Sequence, residues 1–325
     1  MRSKIIGLGS AVPEKVLTNN DLSRMVDTSD EWITTRTGIK VRHICGPDEA
    51  TSDLALSAAR RALAAAQIDA QELDLIILAT VTGDLPFPAT SCLLQKELGA
   101  VNAAAFDLSA ACSGYVYGLV VADQFIRSGA YKHILLIGAD TFSKIVDWED
   151  RSTCVLFGDG ASAAVVTASD DESGLLDFEL GCNGEAAHLL LIPAGGSREP
   201  ITEKVISQRR QYVKMQGAEV FKLAVKSMVK VIRHVLEKNN LTADDLSLIV
   251  PHQANVRILE ATAHKLKLAS GKMFANIDKY GNTSAASVGL ALEEALSSRR
   301  AEKGELVLLV AFGGGFSWGA ALIRL

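Results

Sequence analysis

Apolar residues in this chain fall in short unbroken runs far more often than in alternation with polar ones. Leu73–Thr80 reads LDLIILAT, Ile134–Gly138 reads ILLIG and Leu306–Ala311 reads LVLLVA, with polar residues or glycine around each. Runs without a polar face predict strands of sheets covered on both sides. After a first strand at Ile5–Gly9, the pattern predicts a strand over Leu73–Thr80, a helix over Ser91–Leu98 and a strand over Ala103–Leu108. A small-residue turn at Cys112, a helix over Tyr115–Ser128 and strands at Ile134–Gly138 and Ala161–Thr167 follow.

The same succession returns in the second half. It runs from the strand Leu246–His252 through a helix over Val256–Leu266 and a strand at Met273–Ile277. The small-residue turn Gly281–Ala286, a helix through Ala295, the strand Leu306–Ala311, a glycine turn at 313–315 and a last strand Trp318–Ile323 complete it. This order predicts an internally duplicated α/β protein with halves over residues 1–172 and 173–325, each a sheet, packed through shared central helices. Cys112 and Asn282 then sit in corresponding turns. His252 ends the strand that corresponds to Leu73–Leu78, so all three meet between the halves.

Composition narrows the picture. The chain has 325 residues, 48% of them hydrophobic and 22% charged, enough for a large core. A net charge of −5 argues against nucleic acid as a general partner. Its five cysteines have neither an even count nor metal-type spacing, so no metal site is expected and Cys45, Cys92, Cys154 and Cys182 read as structural. Met1–Lys4 leads straight into the first strand and no apolar run reaches bilayer length, so a soluble cytoplasmic protein with no membrane contact is expected.

Cys112 carries the most chemistry. A thiol at a helix N-terminus faces free backbone N–H groups and the positive end of the helix dipole, which favour the nucleophilic thiolate. Neutral imidazole and carboxamide N–H groups, here His252 and Asn282, donate hydrogen bonds suited to an enolate oxygen. The glycine turn after Phe312 offers a backbone N–H that joins that of Cys112 around an oxyanion.

Six segments, in order along nearly the whole chain, are DTSDEWI with TRTGI (27–39), AACSG (110–114), LFGDGA (156–161), PHQAN (251–255), GNTSA (281–285) and FGGGF (312–316). In these the chain resembles the β-ketoacyl-acyl carrier protein synthase III family, the initiating condensing enzymes of bacterial fatty-acid synthesis. The resemblance implies a thiolase-like fold in five layers, αβαβα, and a homodimer without a cofactor other than the CoA thioester substrate. It implies that Cys112 accepts acetyl, or another short acyl group, from acyl-CoA. His252 and Asn282 then stabilise the enolate formed from malonyl-acyl carrier protein, and Cys112 and Gly314 form the oxyanion hole.

Thr28, Trp32, Arg36, Arg151, Gly217 and Asn255 are implied to bind CoA, with Trp32 and Arg151 sandwiching the adenine. Phe87 and Phe157 are implied to shape the acyl pocket, Phe87 reaching across a dimer interface. Lys222 and the segment Gln253, Ala254, Asn255, Val256 and Arg257 are implied to dock the acidic carrier protein. The chain lacks the second cysteine of a thiolase, the second histidine of elongating synthases and a glutamate beside Cys112. A starter-unit enzyme of a polyketide pathway, or a non-catalytic carrier-protein scaffold, remains an alternative.

Overall fold

Every residue of the strand Leu75–Ala79 is buried, as an unbroken apolar run requires. The computed structural model describes residues 2–325. One sheet holds β1 (Arg2–Ala11), β2 (Leu75–Ala79), β3 (Ala104–Leu108), β4 (His133–Asp140) and β5 (Gly160–Ser169), in the order β1-β5-β4-β2-β3. There β2 runs parallel to β3 and β4, and β5 antiparallel to β4 and β1. The other sheet holds β6 (Gly174–Cys182), β7 (Leu248–Pro251), β8 (Leu306–Gly313) and β9 (Ser317–Arg324), in the order β6-β9-β8-β7. Here β7 and β8 are parallel, and β9 is antiparallel to β8 and β6.

Side by side, β6, β9, β8 and β7 stand where β1, β5, β4 and β2 stand, with the same direction at every pairing. The duplication in the sequence is therefore a duplication of topology. One expected strand is missing. Where the second half should repeat β3, Met273 forms only an isolated parallel bridge to Ile249, and Ile277 already opens a short helix, Ile277–Tyr280.

A side chain explains the interruption. Ile249 N donates to Lys272 O (2.7 Å) and Phe274 N to Ile249 O (2.9 Å). Beyond that the carboxamide of Gln253 takes over the ladder. Its Nε2 donates to Phe274 O (3.1 Å) and Pro251 O (2.9 Å), and its Oε1 accepts from Asn276 N (3.0 Å). The group supplies both functions of a peptide unit, and the chain turns away.

Helices fill the remaining layers. α1 (Thr51–Ala66) and α2 (Thr90–Leu98) cover the outer face of the first sheet, and α4 (Gly217–Lys238) and α5 (Val256–Leu266) that of the second. Between the sheets lie α3 (Gly114–Arg127) and α6 (Ser287–Ser297). Leu75 and Ile77 point to this middle layer, Ile76 and Leu78 to the outer one, so both faces of the strand are dry. The architecture is the expected αβαβα sandwich. Gly7 and Gly9 bring β1 onto the alanine face of α1, since a Cβ at either would lie 2.4 Å from the backbone of Ala62.

If Gln253 replaces a strand rung, Gln253→Ala should lower stability by about 2–4 kcal/mol, because it orphans buried backbone groups. Urea unfolding measures this, and a loss under about 1 kcal/mol would show that the groups find other partners.

Candidate active site

Two turns of the same shape meet at the middle layer. After β3 the chain bends at Ala111, whose φ is 46°, into a single 3-10 turn (Ala111–Ser113) that feeds α3. In the second half it bends at Ser284, φ 50°, into another (Ser284–Ala286) that feeds α6. Neither residue is glycine. Each left-handed conformation costs on the order of 1–3 kcal/mol, a strain held by surrounding packing. The turns touch: Cys112 Sγ lies 3.3 Å from Ser284 Oγ.

Asp140 ties the halves together from behind. This buried carboxylate at the end of β4 accepts from Val81 N (2.8 Å), Thr82 Oγ1 (2.9 Å) and Thr80 Oγ1 (3.1 Å) on its own half. Its other oxygen accepts from Ala285 N (3.2 Å) on the second half. Burial raises the carboxyl pKa, and hydrogen bonds from Val81 N, the Ser284 hydroxyl, Ala285 N and Thr82 oppose the rise.

Asn282 is fixed on both sides. Its backbone bridges Phe157, with Asn282 N donating to Leu156 O (2.9 Å) and Gly158 N to Asn282 O (3.0 Å). Its Oδ1 accepts from Ser284 N (2.9 Å), so the amide NH2 is the group left to donate.

His252 follows β7, its N donating to Val310 O (2.8 Å) and its ring edge-on to Phe312 at 5.4 Å. Both ring nitrogens are buried without a protein partner. Burial pulls the imidazole pKa down to about 3, so the ring is neutral, with one N–H to give.

Gly313, ending β8, completes the group. A Cβ there would stand 2.7 Å from Cys112 N, so only glycine lets the strand end reach that amide.

Cys112, His252, Asn282, Phe157, Phe312 and Gly313 line one cavity of about 640 Å³. The buried thiol departs from the sequence expectation. Desolvation pushes its pKa up to about 12, outweighing the hydrogen bonds from Ser284 and the backbone. The buried end of the cavity favours the neutral thiol until something donates to the sulfur anion.

Comparison with known proteins identifies the family. Residues 106–184 match the model for 3-oxoacyl-[acyl-carrier-protein] synthase III, and residues 236–325 match that for its C-terminal part. A beta-ketoacyl-[acyl-carrier-protein] synthase III of Caldanaerobacter subterraneus subsp. tengcongensis is 53% identical, over 98% of this chain and 97% of its own. The chain belongs to the 3-oxoacyl-[acyl-carrier-protein] synthase III family. The crystal structure of the Aquifex aeolicus synthase III superposes with a TM-score of 0.93 at 51% identity, covering 99% of this chain and 100% of its own. A priming β-ketosynthase from the R1128 polyketide pathway gives 0.91 at 35%, covering 99% and 96%.

The residues implied by resemblance to the synthase III family fall in different places. Trp32, Arg36, Gly217, Lys222, Ala254, Asn255 and Arg257 line the same cavity toward its solvent-exposed end. Trp32 rides on the helix Asp30–Thr37, capped by Ser29. The Arg151 guanidinium lies 5.1 Å from the centre of its ring. A base between them needs about 7 Å, two van der Waals contacts, so Arg151 must withdraw to admit one.

Thr28 is outside the lining, and Val256 packs against the backbone of Gly38. Gly314 rests against Leu190 O, while its neighbour Gly313 makes the close approach to Cys112. Phe87 is 87% exposed and touches no part of its own chain's cavity. Gln253 is corrected outright. It is 2% exposed and consumed by the ladder, so its side chain is unavailable for docking a partner. Ser284 and Asp140 were not singled out in the sequence, where Ser284 is one letter of a small-residue turn and Asp140 the end of a buried strand. Among the described residues no cluster of His, Cys, Asp and Glu is arranged to hold a metal ion, and no helix is long and apolar enough to cross a membrane.

The buried imidazole has a consequence for stability. Above about pH 6.5 His252 is neutral in both folded and unfolded chains. Below that the unfolded chain takes up a proton that the folded site refuses until about pH 3, so stability falls as acid is added across this window. His252→Gln should lack this component. Relative to it, the wild type should lose about 1.4 kcal/mol per pH unit below pH 5.5 in urea titrations. Parallel curves would contradict a neutral buried ring.

Proposed function

We propose that the chain catalyses the decarboxylative Claisen condensation of acetyl-CoA, or another short acyl-CoA, with malonyl-acyl carrier protein. The products are 3-oxoacyl-acyl carrier protein, CoA and CO2, and the reaction opens fatty-acid synthesis. One observation carries the reading: a buried sulfur, a neutral imidazole and a carboxamide NH2 share a single cavity in a member of this family.

The first step is acyl transfer. The Cys112 sulfur attacks the thioester carbon, and the backbone N–H groups of Cys112 and Gly314 receive the oxyanion. CoA leaves with the electron pair of the broken C–S bond and takes up a proton. The malonyl thioester then loses CO2, and the enolate oxygen accepts from His252 and the Asn282 amide. Its carbon attacks the acyl group and releases the sulfur of Cys112. An imidazole with so low a pKa donates without holding a positive charge, which suits this role. Each such donor is worth roughly 100- to 1000-fold in rate.

In this reading residues 1–172 contribute the nucleophile and residues 173–325 contribute His252 and Asn282. The pantetheine and phosphates of CoA pass Thr28, Arg36, Gly217 and Asn255, with Trp32 and Arg151 at the adenine end. No cofactor takes part beyond the thioester itself. The carrier protein docks on Lys222, Ala254, Asn255 and Arg257, whose guanidinium lies over Phe221 at 5.9 Å. Val256 supports that rim through Gly38.

The working form is a cytoplasmic homodimer. β3 is an edge strand, and the segments at its two ends leave Val101 on one side and Leu85 and Phe87 on the other 72%, 49% and 87% exposed, apolar surface suited to a second copy. Phe87 then reaches the partner's acyl pocket opposite Phe157. Five free cysteines fit a reducing compartment. The similarity to a polyketide priming enzyme favours, as a second reading, the same chemistry on another pathway's carrier.

Mixing the protein with acetyl-CoA should add about 42 Da, acetyl for hydrogen, to the Cys112 peptide and nothing to Cys112→Ala. Absence of that gain would leave only a binding scaffold. In the separate second step, Arg257→Glu should raise KM for malonyl-acyl carrier protein about tenfold while acetyl transfer stays near wild type. Equal loss in both steps would reject the docking surface.

A further inference from the structure

We propose that Ser284 positions the nucleophile, its hydroxyl donating to the Cys112 sulfur once the thiol has lost its proton. The assignment rests on the reading of Cys112 as the attacking group and adds a residue to it. Ser284 is fully buried, and its Oγ stands 3.3 Å from a sulfur that is itself 4% exposed. His252 makes no hydrogen bond to the sulfur, since both of its ring nitrogens lack a protein partner.

A donor at this place matters because the surroundings otherwise oppose an anion. On the elements packed around Cys112 the titratable groups are Asp140 at the end of β4, His252 after β7, Tyr115, Tyr117, Asp123 and Arg127 on α3 and Arg324 on β9, and of these Asp140 acts on the charge of the sulfur. The β8–β9 corner contributes only Phe312, Gly313 and Ser317. Burial penalises a thiolate and Asp140 repels it, while the Ser284 hydroxyl, which also interacts with the Asp140 carboxylate, works the other way when its hydrogen turns to the sulfur. In a dry site, a hydrogen bond to a charged sulfur is among the stronger ones available. The thiol proton leaves to bulk solvent, and the serine keeps its own hydrogen throughout.

The fold does not need this hydroxyl. Ala111 occupies the corresponding position of the first half with nearly the same φ, 46° against 50°, so alanine fits such a turn. Ser284 also acts through its backbone, which holds Asn282 Oδ1 at 2.9 Å. One residue therefore aligns the nucleophile of one half and the enolate donor of the other, by two separable groups.

Ser284→Ala separates them, because it removes the hydroxyl and keeps the N–H. Iodoacetamide alkylation of Cys112, followed by peptide mass spectrometry against pH, should shift to higher pH. At pH 8 the rate should fall about tenfold. Alkylation of the exposed Cys92 serves as the internal control. Decarboxylation of a malonyl thioester, which relies on His252 and Asn282, should stay within about twofold.

An unmoved alkylation profile overturns the proposal. So does decarboxylation that falls as far as alkylation, which would mean a structural role only. Should Ser284→Ala fail to fold, Ser284→Gly also lacks the hydroxyl, accepts positive φ more readily and carries the same expectations. Alkylation reads the sulfur whether or not the chain accepts acetyl, so failure of the condensing-enzyme reading would be seen separately.

Discussion

The contact between two left-handed turns, at Ala111 and Ser284, is the constraint on which the rest of this structure depends. Each turn places a non-glycine residue where L side chains are disfavoured, a cost that the packing of one turn on the other offsets. Packed against each other, with the Asp140 carboxylate reaching across to Ala285, they close the middle of the sandwich. They also set the start of α3 and α6 and so the place of everything at the cavity floor. Cys112 rides on one turn and Asn282 is held by the other. His252 enters from the neighbouring strand end, and Gly313 closes the last gap.

Burial at that floor decides the electrostatics. It leaves the imidazole neutral, with one ring N–H to donate, and it also holds the thiol protonated. The dipole and free amides at the helix start are therefore not sufficient for nucleophilicity, and the sulfur depends on groups within reach. The cavity has an exposed rim carrying Arg36, Lys222 and Arg257 and a buried floor carrying Cys112, His252 and Asn282.

Much of this was legible in the chain. Unbroken apolar runs mark strands buried on both faces, and β2, β4, β7 and β8 are such strands. The repeated order of elements foretold the paired sheets, and the corresponding turns foretold that Cys112, Asn282 and His252 share a cavity. What escaped lies where periodicity is weak or side chains replace backbone. β6 is an edge strand of half-buried residues, so its sequence carries little pattern. α1 and α4 fall outside the repeated unit, although Val220, Ala224, Met228, Ile232 and Val235 trace a clear stripe on α4. Met273–Ile277 has strand-like composition, but the Gln253 carboxamide takes its rungs, and no local signal foretells that. The fate of Gln253 itself, inside and not on the docking face, follows from the same exchange. Nor does a motif report desolvation, which is why the thiol came out opposite to expectation.

The central claim is that two turns and a neighbouring strand end present one sulfur, one carboxamide and one imidazole to a single reacting group. A crystal structure of the chain acetylated on Cys112 tests it most directly. One acceptor, water or substrate oxygen, should lie within about 3.2 Å of both a His252 ring nitrogen and Asn282 Nδ2, on the acetyl side of the sulfur. Two donors that reach different acceptors, or an acetyl group lodged away from both, would contradict the account.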